Sequence, residues 1–88
     1  MNITDRCAMA RTAITRVKVR LSHDSPLHAS LNSAYRNCSA DASPGERQRA
    51  MMLLVETFAF CSDSEVAGIP KFKELRGELR AAIYTLTV

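Results

Sequence analysis

The sequence predicts an all-α fold, a compact bundle of about four helices. Three observations carry that reading. Ile3, Cys7, Ala10, Ile14, Val17 and Leu21 recur at alternating spacings of four and three, which places them on one stripe of a single helix. The same spacing returns in Leu27–Leu31–Ala34–Cys38, in Met51–Leu54–Phe58–Cys61, and in Phe72–Leu75–Leu79–Ala82–Leu86. Breaks rich in Ser, Asp, Pro and Gly separate the four segments. A helix with one apolar stripe has to bury it against another, so four such segments argue for helix-on-helix packing.

The first segment opens with Asn2 as N-cap and Asp5 three positions on, where a capping-box acid sits, and extends to about Leu21. Its last third carries a competing signal. Arg16 to Leu21 alternates polar and apolar residues and contains two valines, which favour strands. Tyr84 to Val88 alternates in the same way. The alternative fold is therefore α+β, with a small ribbon pairing residues 15–21 and 83–88, which would need the helices as cover.

His23-Asp24-Ser25-Pro26 breaks the chain, with Ser25 as cap and Pro26 in the first turn of a second helix reaching Asn37 or Cys38. After a short polar loop, Ser43-Pro44-Gly45-Glu46 is the strongest local signal, a capping box with proline at the first helical position. The third helix runs from Pro44 to at least Cys61. Only Arg49, Glu56 and Asp63 form a clear polar line on it, while Met52, Leu53, Val55 and Phe60 widen its apolar surface. Such a helix sits centrally or faces a second chain. Gly68 is a natural stop, and Pro70 opens the fourth helix. In that helix Gly77 and Ala81 form a small-x-x-x-small pair, which either admits a close backbone or lies exposed.

With 88 residues the chain reads as a single domain, residues 1–88, near the lower limit for folding without staples. No apolar run approaches 18 residues, so no membrane span is expected. Cys7, Cys38 and Cys61 are odd in number, lack Cys-x-x-Cys spacing and fall on apolar stripes. They read as small core hydrophobes in a reducing, cytoplasmic compartment rather than as a disulfide framework. The first 22 residues hold five basic side chains, one acid and several threonines, a composition similar to a mitochondrial transit peptide. No secretory apolar core with a small-residue cleavage site accompanies it, and we read the segment as part of the fold.

No chemical signature emerges. Cys7, His23, His28, Cys38 and Cys61 lack metal-ligand spacing, so no metal or other cofactor is expected. There is no Gly-x-Ser-x-Gly, phosphate loop or His-Glu-x-x-His, and no enzyme is expected. What remains is surface. The first 22 residues carry a net charge of +4 and the other 66 a net −1, so the basic character sits at one end. At helical spacing Arg11 and Lys18 flank one side of the first apolar stripe, and Arg6 and Arg20 the other. These stems either cover the edges of the seam or form a cationic patch.

The expected function is a protein-interaction module: an adaptor, regulator or inhibitor of a larger partner. Arg11, Arg16, Lys18 and Arg20 would bind an acidic protein surface. Leu53 and Phe60, seven residues apart on the third helix, would supply apolar contact or a homodimer seam. The alternative is a nucleic-acid-binding regulator of transcription or replication, using the basic N-terminal segment or the fourth helix. Ala67-Gly68-Ile69 resembles the turn of helix-turn-helix proteins, with Lys71, Lys73, Arg76 and Arg80 on the following helix. The register departs from that motif at Ser64 and Glu74, where buried small and aliphatic residues belong.

Overall fold

The computed structural model describes residues 2–21, 23–63 and 70–87, with side chains described over 2–21, 23–60 and 74–87. Among them lie four helices and no strand: α1 (Ile3–Arg20), α2 (Leu27–Arg36), α3 (Pro44–Asp63) and α4 (Pro70–Thr87). The all-α expectation holds, and the ribbon alternative is corrected. Residues 15–20 continue α1, and residues 83–87 continue α4.

The reason is visible in the two ambiguous segments. Val17 is fully packed in the core on the same stripe as Ile14, whereas Val19 points outward, 75% exposed. Burying one valine in a helical stripe outweighs the weak strand preference of both. In α4, the β-branched threonines are accommodated by hydrogen bonds to their own helix. The Thr85 hydroxyl donates to the Ala81 carbonyl at 2.8 Å, and that of Thr87 to the Ile83 carbonyl at 2.6 Å.

Caps set the helix starts. The Asn2 side-chain oxygen accepts from the Asp5 N–H at 2.8 Å. At α3 the capping box closes in both directions: the Glu46 N–H donates to Ser43 Oγ at 3.2 Å, and the Ser43 N–H donates to Glu46 Oε1 at 2.9 Å. These contacts hold the Glu46 carboxyl below its ordinary value of 4.5, the Ser43 N–H contributing most. The start of α2 differs from expectation by one residue. Pro26 occupies the cap position in right-handed helical geometry, and Ser25 accepts one step earlier, from the N–H of Leu27 at its hydroxyl and from that of His28 at its carbonyl.

Among the described residues, the helices form a square in which sequence neighbours touch and α4 closes onto α1, while the backbones of the diagonal pairs α1/α3 and α2/α4 make no contact. Neighbours run antiparallel. Arg16 pairs with Glu78 across α1 and α4 at 3.8 Å. Between α3 and α4, Thr87 reaches Met51 Sδ at 3.7 Å while Arg80 stacks on Phe58 at 5.6 Å. Each helix contributes to one core: Ile14 and Val17 from α1, Leu31 from α2, Leu54 from α3, Leu75 and Leu79 from α4, all buried. The buried Thr57 satisfies its hydroxyl by donating to the Leu53 carbonyl at 2.8 Å.

Candidate interaction surface

The square arrangement divides the residues that the sequence grouped as partner-binding. Arg11, Arg16, Lys18 and Arg20 lie on α1, and Leu53 and Phe60 lie on α3, the diagonal helix. The structure does not bring the two sets together.

Nor do the four basic residues form one patch. Arg11 donates from its guanidinium to the carbonyl of Cys38, just beyond the end of α2. Lys18 lies over the Tyr35 ring on α2, 5.9 Å from its centroid. Arg16 turns the other way, to Glu78 on α4, and Arg20 is exposed beside Glu74 along the same seam. One pair is therefore tied to α2 and the other borders acidic residues of α4. Between α1 and α4 these residues line an open groove of about 590 Å³ floored by Gly77 and Ala81. A Cβ at Gly77 would meet nothing within 4 Å, so among the described residues no other backbone approaches it.

Cys7 and Cys38 are buried and unpaired. The Cys38 S–H donates to the Ala34 carbonyl at 3.1 Å. Burial pushes its thiol up to about 11, Cys7 adds to the shift, and Arg11 opposes it. A thiol held protonated in the core is a packing group, not a nucleophile. Among the described residues no three of His, Cys, Asp and Glu gather as a metal site would require. Cys61 and the Ala67-Gly68-Ile69 turn lie outside the described side chains and residues.

The outer face of α3 is different. Met52 is 54% exposed and Phe60 51%, and Val55 is also exposed on the outer surface. Leu53 is half-buried against the core. Gly45, Gln48, Arg49, Met52, Leu53 and Glu56 line a shallow groove of about 320 Å³ along this helix. Met52 and Leu53 are its apolar residues, and Arg49 and Glu56 flank them along the helix. Gly45, Arg49, Met52 and Glu56 were absent from the sequence-based site. Their signal was the two opposite charges, Arg49 and Glu56, read from sequence as part of a polar line and flanking the exposed Met52.

No family model, no curated protein and no solved structure matches this chain. No helix among the described residues is long and apolar enough to cross a membrane.

Proposed function

We propose that this chain is a non-catalytic protein-interaction module that meets its partner through the outer face of α3. The observation that carries the reading is the half-exposure of Met52 and Phe60 on one face of a helix whose opposite face is committed to the core. Leaving two large apolar side chains in water forgoes roughly 1–2 kcal/mol each at 25 cal/mol per Å². Large apolar side chains left exposed on one helix face favour a contact site there. The cationic residues of α1 take a supporting role at most, because Arg11, Lys18 and Arg16 already serve contacts within the bundle. Adaptor and regulator roles are both compatible with such a module.

Site-specific photo-cross-linking tests the reading. A benzoylphenylalanine at position 60 should give a discrete protein adduct in the cells that make the chain, and one at position 12, on the outer face of α1, should give none. Absence of any adduct from position 60 would remove α3 as the contact face.

A further inference from the structure

We infer that the occupant of the α3 face is a second copy of this chain, docked as an antiparallel α3–α3 pair about a two-fold axis between Met52 and Leu53. The inference rests on the reading of α3 as the contact face and supplies its partner.

The argument starts from spacing. Gly45, Arg49, Met52, Leu53, Glu56 and Phe60 are separated by 4, 3, 1, 3 and 4 residues, a sequence of intervals that reads the same in either direction. At about 100° per residue all six fall within one stripe. In an antiparallel pair, a two-fold axis at the centre sets each residue opposite its mirror position on the other helix. Arg49 then faces Glu56 of the second copy, Glu56 faces its Arg49, and the exposed Met52 sits at the centre beside the half-buried Leu53.

The outermost positions match in shape as the middle ones match in charge. Phe60 is a large, half-exposed side chain, and its mirror position is Gly45. A Cβ on Gly45 would meet only the Ser43 hydroxyl oxygen, at 4.0 Å, so the surface there is open. A ring from the second copy fits over the residue that has no side chain. Charge pairing and knob-to-gap pairing are independent, and they share one centre. A contact in which the same patch is complementary to itself is what two-fold symmetry requires.

Other features agree. Among the described residues neither an ion pair nor a hydrogen bond engages the Glu56 carboxylate, so its charge is available across the interface. Antiparallel helices also align their dipoles favourably. The stripe runs over 16 residues, Gly45 to Phe60, about 22 Å from end to end at 1.5 Å per residue.

The test is sedimentation equilibrium on the full chain with charge reversals at the two exposed positions. Wild type should sediment at twice the monomer mass at a few hundred micromolar. Arg49→Glu alone and Glu56→Arg alone should each weaken dimerisation about tenfold or more, since each sets two like-charge pairs against each other. An equimolar mixture of the two variants should restore a dimer, because every cross-pair is again opposite in sign. Circular dichroism of each variant checks that the bundle is intact. A wild type that stays monomeric, single variants that dimerise normally, or a mixture that fails to recover would each overturn the second-copy assignment. A monomeric wild type together with a photo-adduct of unrelated mass from position 60 removes the second copy and keeps α3 as the contact face. No adduct from position 60 removes both.

Discussion

The Arg11 guanidinium on α1 donates to the backbone carbonyl of Cys38, closing the chain just after α2 onto the first helix. The contact ties the chain beyond α2 to α1, and a cation near a helix C-terminus complements the negative end of its dipole. Arg11 is therefore a structural clamp. Arg11→Ala should lower stability by about 1.5–3 kcal/mol, the range for a hydrogen bond with a charged partner. Urea unfolding with unchanged m-value checks it. A loss of partner contact at full stability would instead return Arg11 to the surface role.

Gly77 gives a prediction of opposite sign. Its φ is negative and a Cβ there meets open space. Gly77→Ala should stabilise the fold by roughly 0.5–1 kcal/mol, by helix propensity and reduced freedom of the unfolded chain. Thermal unfolding should show a higher midpoint. A lower one would mean that another backbone does approach this face.

The two buried thiols report on the core. Cys38 is held protonated, with its ordinary value of 9.0 raised to about 11. Neither Cys7 nor Cys38 should react in a short alkylation pulse at neutral pH, and both should react fully in denaturant. Peptide mapping by mass spectrometry assigns each site. Rapid native labelling of Cys38 would contradict its burial.

The capping box makes α3 sensitive to acid. The Glu46 carboxyl is held below its ordinary value of 4.5 in the folded chain. A depressed folded value means that its contribution is present above 4.5 and fades as pH falls through the lowered value. The difference in melting temperature between wild type and Glu46→Gln should shrink over that descent. A difference that does not change with pH would detach the cap from the carboxylate charge.

Much of the fold was legible because its signals are local. The spacing of Cys7, Ala10, Ile14 and Val17 names the buried face of α1, and Ser43 with Glu46 names the start of α3. The strand-like alternation at Arg16–Leu21 misled because Val19 has no core to enter; only the three-dimensional position of Val17 decides between the two periods. The site was less legible. That α1 and α3 occupy opposite corners is a property of packing order, which no one-dimensional pattern carries. So the sequence could name the basic residues of α1 and the apolar residues of α3 as contact groups, but not that they lie on different faces. Arg49 and Glu56 were visible as charges, but their meaning depends on Gly45 and Met52 sharing their face.

The central claim is that α3, and not α1, is the face through which two copies of this chain meet. An amide chemical-shift dilution series on the labelled chain tests it most directly. Raising the concentration from about ten micromolar to about one millimolar should shift the amides of Gly45, Arg49, Leu53, Glu56 and Phe60, while Ala8, Thr12 and Thr15 stay fixed. Shifts concentrated on α1, or none anywhere on α3, would contradict the account.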